Sequence, residues 1–193
     1  WLINTHNGIK EQGIKPIDIK DYPAIKKHLD QFYSPLEKRL DQGDTPYNLR
    51  NCAYMEDFFR PKIIYPNMTK FLPFVYEEQG ILTNQKCFVI TGEKLEFLTA
   101  FLNSSIFKYC FRDNFPELQG GTRELSKVFF EKIPVIQVSE ETNLKFKDLV
   151  SQITKLKKEK KPTKDLEEII EKIVFDIYNL TAEERKNIFL TEL

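Results

Sequence analysis

Glycine is scarce in this sequence, and the phosphate-binding motifs that depend on glycine are missing. The chain has seven glycines, and no two of them are spaced as G-x-G. A dinucleotide site needs that pattern because only glycine lets the backbone come close to a pyrophosphate. A P-loop of the form G-x-x-x-x-G-K-[ST] is absent as well. The sequence therefore predicts no dinucleotide site and no nucleotide-phosphate cradle.

Motifs that carry hydrolytic or methyl-transfer chemistry are also missing. No two prolines are adjacent, which excludes the Asn-Pro-Pro-Tyr type of motif that holds a flipped adenine. There is no H-E-x-x-H, no G-x-S-x-G and no convincing Ser/His/Asp set. Glu159-x-Lys161 matches the tail of a nuclease E-x-K pattern, but we interpret its lysine run as a solvated helix end. We predict a non-catalytic chain.

Cysteine and histidine are too few and too scattered for a metal site. Cys52, Cys87 and Cys110 form no C-x-x-C pair, and neither His6 nor His28 lies near a cysteine. We interpret the cysteines as reduced core thiols of a cytosolic protein. We predict no metal site and no cofactor in this chain.

Long hydrophobic runs are absent too. No segment approaches the roughly 18 apolar residues of a membrane span, and no basic-then-apolar signal segment opens the chain. We therefore predict no membrane partner and a cytoplasmic location. Because the chain begins at Trp1 rather than methionine, we also expect a fragment of a larger protein.

The chain has no excess of charge of either sign. Its 29 basic residues balance its 29 acidic ones, so the formal net charge is +0 at pH 7. This balance argues against a purely electrostatic nucleic-acid binder. It permits a specific reader whose basic residues lie on one face, or a module that borrows phosphate affinity from a partner domain.

The stretch from Asp44 to Tyr76 has the clearest functional pattern. Polar side chains, aromatics and a few basic residues collect there without a helical stripe, together with short apolar runs bounded by prolines. This pattern is typical of a recognition loop carried on strands. The aromatic pairs Phe58-Phe59 and Phe129-Phe130 are predicted to lie in the core.

Periodicity predicts helices and short strands around this stretch. Pro23 and the Ser34-Pro35-Leu36-Glu37 start signal predict two short helices that end near Gly43. Glu93–Phe111 has the apolar spacing of one amphipathic helix. The predicted strands, of which the third and fourth could pair as a hairpin, are Lys62–Tyr65, Phe74–Tyr76, Ile81–Thr83, Cys87–Thr91, Val128–Phe130 and Ile133–Val138.

After Ser139, helix formers and charged residues dominate. Apolar spacing predicts one helix up to the lysine run, a second after Thr163, and a short last helix opened by a Thr181-to-Glu184 capping box. We therefore predict an α+β protein. Residues 1–138 form a curved, antiparallel, β-rich recognition domain with flanking helices, and residues 139–193 form a C-terminal helical hairpin or spacer.

Several segments resemble one known family, in the right order. Gly43–Tyr54 followed by Pro61–Pro66 resembles the C-terminal specificity domain of Taq-type adenine methyltransferases, and more closely that of single-chain type IIG restriction–modification enzymes. Further similar segments are Tyr22–Leu29, Phe88–Gly92, Leu102–Ser104, Gly120–Lys127 with Ile133–Val135, and Ile173–Thr181. The resemblance covers nearly the whole chain.

The resemblance implies that this chain reads duplex DNA while other domains perform the chemistry. In that family an upstream methyltransferase domain of the same polypeptide holds S-adenosylmethionine and flips the adenine, and a nuclease domain often precedes it. The specificity domain closes the other side of the DNA cleft. The implied partners are double-stranded DNA and the upstream methyltransferase domain, and the implied location is a prokaryotic cytoplasm.

Arg50 is the strongest candidate for a base contact. Arginine reads guanine through two hydrogen bonds, and Arg50 follows a proline turn in a polar loop. The alternative is an ion pair with Asp44 or Glu56 that fixes the loop. Asn48 is a candidate for pairing with adenine, although asparagine after Pro-Tyr equally suits a turn-stabilising role.

Four loops, 44–54, 66–72, 83–86 and 119–127, are predicted to lie on one face and to contact DNA. Their polar and basic side chains can reach a groove or a phosphate, and the alternative is a plain solvated turn. Within the last loop, Gly120-Gly121 demands unusual backbone angles or close approach to another group. The predicted DNA-binding residues are Asn48, Arg50, Thr69, Lys70, Asn84, Lys86, Arg123 and Lys127.

Two other functions are compatible with the sequence. A protein-interaction or scaffold module would dock a partner subunit through the helices of residues 139–193, and the zero net charge favours this alternative. An intact small enzyme with an unrecognised site is the third hypothesis, and the missing catalytic motifs count against it.

Overall fold

Helices and short antiparallel strands alternate along the chain, which confirms the predicted α+β class. The computed structural model of the protein describes residues 2–189. The α-helices of that range are α1 (Pro23–Asp30), α2 (Tyr33–Glu37), α3 (Leu95–Asn103), α4 (Ser105–Asn114), α5 (Lys127–Phe130), α6 (Glu140–Lys158), α7 (Lys164–Ile177) and α8 (Ala182–Phe189). Its strands are β1 (Lys62–Pro66), β2 (Met68–Thr69), β3 (Val75–Glu77), β4 (Cys87–Ile90) and β5 (Arg123–Glu124).

The chain divides into two compact units between Met55 and Glu56. Ser139, the predicted boundary, lies within the second unit. Helix α6 packs against α3, and its Phe146 and Val150 are buried in the core that also contains Ile63 of β1. Burial of apolar surface thus joins the C-terminal helices to the sheet instead of separating the two.

Turns and two short helices form the first unit. Helix α1 begins at Pro23, as predicted, because proline has no N–H to leave unpaired at a helix start. Helix α2 begins at Tyr33, one residue before the predicted cap, and ends at Glu37. Of the side chains described in this unit, the buried ones are Thr5, Ile19 and Asn48. With so little buried apolar surface, hydrogen bonds fix much of its conformation.

Strand β1 is the centre of the main sheet of the second unit. It pairs antiparallel with β3 on one side and with β4 on the other. Lys62 lies opposite Glu77 at one end of β1, and Pro66 lies opposite Cys87 at the other. The predicted hairpin between Ile81–Thr83 and β4 is wrong, because β4 pairs with β1 and the Ile81 N–H donates to the Glu77 carboxylate (3.1 Å).

One face of β1 packs against a cluster of aromatic rings. The Tyr65 ring lies 5.4 Å from the Phe74 ring and 5.1 Å from the Phe130 ring, measured between centroids. Phe129 and Phe130 both pack against the core, which confirms the prediction for that pair. The prediction for the other pair is half right: Phe58 is buried, whereas Phe59 is 61% exposed because adjacent side chains point in different directions.

The predicted helix over Glu93–Phe111 is two helices, because the chain breaks at Ser104. Ser104 has an extended backbone (φ −76°, ψ 162°), and its hydroxyl accepts from the Phe107 N–H at the start of α4. The Asn103 amide donates to the carbonyl of Phe74, which fixes the end of α3 against the chain before β3. The chain therefore leaves the helical conformation at Ser104, although the local apolar spacing continues.

The region between α4 and α6 has less strand than predicted. Val128–Phe130 lies in helix α5, and the segment 133–138 contains no strand. The predicted C-terminal helices are confirmed as α6, α7 and α8. The capping box at α8 forms as expected, with the Thr181 N–H donating to the Glu184 carboxylate (2.7 Å). The apolar faces of α6 and α7 are already buried within this unit.

Candidate nucleic-acid interface

Asn67 joins three of the four predicted recognition loops. Its N–H donates to the Lys86 carbonyl and its carbonyl accepts from the Leu125 N–H, both at 2.8 Å. Immediately afterwards β2 pairs with β5, which places Thr69 opposite Arg123. Loops 66–72, 83–86 and 119–127 therefore meet beside the Pro66 end of β1. We call this region the Asn67 junction.

The Asn67 junction carries an excess of positive charge. Its three loops contain four basic residues, Lys70, Lys86, Arg123 and Lys127, and one acidic residue, Glu124. The local balance is therefore basic although the whole chain has a formal net charge of +0. Local charge of this kind attracts phosphates within about 10 Å at moderate ionic strength.

Lys70 and Lys86 are the available cations of the junction. Both side chains are exposed, and neither forms a hydrogen bond or an ion pair with any residue in the range 2–189. An exposed, unpaired ammonium loses little solvation when it meets a phosphate, and it breaks no internal contact. These two lysines are therefore the best-placed phosphate ligands of the predicted set.

Thr69 and Asn84 have a different role in the same loops. The Thr69 hydroxyl accepts from the Phe71 N–H (2.9 Å) and donates to the Phe71 carbonyl. The Asn84 side chain accepts from the Lys86 N–H (2.9 Å). Each side chain closes the turn that presents the following lysine or aromatic residue. They fix loop conformation, and the exposed Asn84 retains its amide N–H groups for a ligand.

Arg123 and Lys127 are held by neighbours within the chain. The Arg123 guanidinium donates to the Phe115 carbonyl (2.6 Å) and the Glu117 carboxylate (3.0 Å), and it lies 5.7 Å from the centre of the Phe111 ring. Its side chain is only 12% exposed, so we reassign Arg123 to anchoring β5. Lys127 forms an exposed ion pair with Glu131 (3.3 Å), which is weak enough to exchange for a phosphate.

Gly120 and Gly121, before β5, were predicted to have either unusual backbone angles or a close approach to another group. They have the unusual backbone angles. Gly120 and Gly121 have φ values of +74° and +77°, in the left-handed region that favours glycine. A Cβ added at either position meets no atom within 4 Å in the described structure. Backbone conformation, and not close packing within the chain, therefore explains the pair.

The loop 44–54 belongs to the first unit, and Asn48 is buried inside it. Only 1% of Asn48 is exposed. Its amide donates to the Ile17 carbonyl (2.9 Å) and its oxygen accepts from the Thr45 hydroxyl (2.5 Å). An amide that is both buried and hydrogen-bonded has nothing to offer a base. We therefore remove Asn48 from the candidate residues and assign it to fixing the loop.

Arg50 lies two residues beyond Asn48 and is exposed. Its side chain contacts no hydrogen-bonding or charged partner among residues 2–189. Asp44, one of the two predicted ion-pair partners, instead accepts from the Asn7 amide (2.9 Å). Glu56, the other, pairs with Arg60 (3.5 Å). The loop is thus fixed by Asn48 and Asp44, and the Arg50 guanidinium remains available to a ligand.

No side-chain pattern in the sequence marks Asn67 as part of a recognition surface. Its contribution is made by backbone groups, which carry no signature in the side-chain pattern. The one available signal was its position after Pro66, where a strand is expected to end.

Metal binding and membrane insertion receive no support from the described part of the chain. Within residues 2–189, no three histidine, cysteine, aspartate or glutamate side chains are grouped so that they could hold a metal ion. No helix in the same range is long and apolar enough to cross a bilayer.

Comparison with known families identifies the family of the chain. The sequence model of the TaqI-like C-terminal specificity domain matches residues 11–135. The matched range covers most of the chain and includes α1, the main sheet and the whole Asn67 junction. The chain therefore belongs to the family of TaqI-like C-terminal specificity domains, which recognise DNA for restriction–modification enzymes.

Proposed function

We propose that the Asn67 junction is the surface through which this specificity domain contacts duplex DNA. In this proposal Lys70 and Lys86 bind phosphates, and the 66–72 and 83–86 loops approach the groove between those contacts. The convergence of three loops on one asparagine, with two unpaired lysines among them, is the observation that supports it. Phosphate contacts set the register of a protein on DNA and leave base edges to neighbouring side chains.

Arg50 is the proposed base reader of the first unit. An exposed guanidinium on a fixed loop can donate two parallel hydrogen bonds to the O6 and N7 atoms of guanine. Loop rigidity matters here, because a side chain that is ordered before binding loses less conformational entropy when it binds. The contacts of Asn48 and Asp44 supply that rigidity.

At the level of the whole enzyme, we propose that this chain directs adenine-N6 methylation performed by other domains. An upstream methyltransferase domain of the same polypeptide would hold S-adenosylmethionine, and any DNA cleavage would also belong to upstream domains, as in type IIG restriction–modification enzymes. The chain itself then needs no cofactor, and its setting is a prokaryotic cytoplasm. Mapping N6-methyladenine in a host with and without the intact gene tests this proposal. We expect one methylated sequence motif in the host that carries the gene, and we expect that methylation to disappear when the gene is deleted.

Fluorescence anisotropy with a mixed-sequence 30-base-pair duplex tests the proposed surface. We expect the K70A/K86A variant to bind about tenfold more weakly than the wild type at low salt, because two phosphate contacts are lost. The slope of log affinity against log salt should become shallower by about two. The same titration with Arg50→Ala measures the contribution of the first unit.

The matched control is K147A/K155A, which removes two exposed lysines of helix α6 that lack a described side-chain partner. This variant loses the same net charge as K70A/K86A, so equal losses of affinity in the two variants would indicate a non-specific charge effect. That result would contradict the Asn67 junction as the DNA-binding surface.

A further inference from the structure

Phe71 is an exposed aromatic side chain beside the Asn67 junction. It is 78% exposed, whereas the next residue, Leu72, is buried in the core at 9%. Its ring makes no contact with another aromatic ring among the described residues. The chain thus presents a large apolar surface to solvent at the place where its available cations collect.

The turn that carries Phe71 is fixed on both sides. The Thr69 hydroxyl contacts both the N–H and the carbonyl of Phe71, and the preceding strand β2 is paired with β5. After Phe71 the buried Leu72 and then Pro73 hold the chain. Because the backbone that carries the ring is already ordered, stacking on a flat partner costs little further conformational entropy.

The charge around Phe71 favours a nucleic acid over a protein surface or a lipid chain. Lys70 is exposed on the same turn, and Lys86 is joined to that loop through Asn67. An aromatic ring beside unpaired cations is the combination that binds nucleic acids, because the ring stacks on a base while the ammonium binds the adjacent phosphate.

We propose that Phe71 stacks on a nucleobase of the bound duplex, at a step that opens when the domain binds. This inference rests on the proposed function, because it takes the Asn67 junction as the DNA-binding surface. The ligand is a base whose face is exposed by local unstacking, and the contact is independent of base identity because every base has a π-face. Phe71 then positions the duplex for the residues that read its sequence.

Phe59 provides a matched comparison on the same unit. It is also exposed, at 61%, but it lies before the Lys62 end of β1, in a short 3-10 helix that includes Glu56 and Asp57. Carboxylates beside a ring repel the phosphates that flank any stacked base. Phe59 therefore offers the same apolar ring in surroundings that disfavour DNA, which makes it the control for Phe71.

The test uses two 30-base-pair duplexes of the same mixed sequence, one fully paired and one with a single central mismatch. A mismatch lowers the cost of unstacking, so a protein that stacks on a base should bind the mismatched duplex more tightly. We expect the wild type to prefer the mismatched duplex about fivefold, Phe71→Ala to lose this preference, and Phe71→Trp to keep it. Phe59→Ala should behave as the wild type does.

The outcomes separate this inference from the proposed function. If Phe71→Ala keeps the mismatch preference while K70A/K86A weakens binding to both duplexes, stacking by Phe71 is overturned and the DNA-binding surface stands; the ring would then belong to a protein contact. If the wild type binds neither duplex, both proposals are overturned. Thermal unfolding of each variant checks that the exposed substitutions leave the fold intact.

Discussion

The two ends of strand β1 use charged residues in opposite ways. At the Lys62 end, the Lys62 ammonium is completely buried and lies 2.6 Å from the Glu77 carboxylate. At the Pro66 end, Lys70 and Lys86 are exposed and have no side-chain partner in the described structure. A buried charge must be paired to be tolerated, whereas an exposed one is free to bind a ligand. The first end stabilises the unit, and the second is available for binding.

The difference between the two ends of β1 also explains how a chain with no net charge can bind a polyanion. The Lys62 end is acidic, because Glu56, Asp57, Glu77 and Glu78 outnumber Arg60 and Lys62. The Asn67 junction is basic, with four basic residues against one acidic residue. Opposite local balances offset each other in the sum over the chain, yet each acts locally because salt screens exposed charges over about 10 Å. Whole-chain charge is therefore a poor guide to a small recognition surface.

Substitution of Lys62 should have the largest effect on stability, because it removes the buried ion pair at the Lys62 end of β1. We expect Lys62→Met to lower the free energy of unfolding by about 3–5 kcal/mol, because the buried Glu77 carboxylate keeps its charge and loses its partner. The Phe58 carbonyl also loses its hydrogen bond from Lys62 (2.7 Å). Urea unfolding followed by circular dichroism measures the change.

The double variant K62M/E77M separates the effect of an uncompensated charge from the effect of lost hydrogen bonds. Because it removes both charges, it should be more stable than Lys62→Met alone. A double variant as unstable as the single one would show that the uncompensated charge of Glu77 is not the cause, and would assign the loss to the other hydrogen bonds of the pair, with the Phe58 carbonyl and the N–H groups of Gln79 and Ile81. DNA affinity of the folded protein should be unchanged, since this end of β1 lies opposite the Asn67 junction.

Arg123 lies in the basic Asn67 junction, yet it is held by internal contacts as Lys62 is at the other end of β1. We expect Arg123→Met to cost about 2 kcal/mol of stability, since two charge-assisted hydrogen bonds are lost and the Phe115 carbonyl is left without its donor. Urea unfolding provides the measurement. If stability is unchanged while DNA affinity falls tenfold, Arg123 is a DNA ligand and our reassignment is wrong.

Acidification should have the smallest effect on stability, again at the Lys62 end of β1. Burial disfavours the charged Glu77 carboxylate, but hydrogen bonds from Lys62 and from the N–H groups of Gln79 and Ile81 outweigh it and hold the pKa of Glu77 below its usual range. The unfolded chain therefore binds the proton more readily. The stabilisation from this carboxylate is complete above the unfolded pKa, about 4.3, and is lost as the pH falls through the folded pKa.

Urea midpoints of the wild type and Glu77→Gln between pH 7 and pH 3 measure this dependence. The wild type should lose stability more steeply on acidification, because the amide of the variant does not titrate. Parallel curves would assign the acid sensitivity to other carboxylates.

Local features of the fold could be predicted because their causes are local. Pro23 starts α1 and the Thr181–Glu184 capping box starts α8, each through residues within one helical turn. The break between α3 and α4 was not predicted, because the apolar spacing continues through the Ser104 cap; the Asn103 amide that fixes the end of α3 meets the carbonyl of the distant Phe74. The role of Asn48 likewise depends on a distant partner, because its amide is occupied by the carbonyl of Ile17.

The order of residues alone shows that the chain lacks the common phosphate-binding and catalytic motifs and carries lysines, arginines and aromatics in polar segments. Tertiary structure decided which of those residues are available. Hydrogen bonds between segments far apart in the chain bring Lys70 and Lys86 to one place at Asn67, while they bury Asn48 and anchor Arg123. Availability depends on burial and on partners, and both are set by contacts that no local pattern encodes.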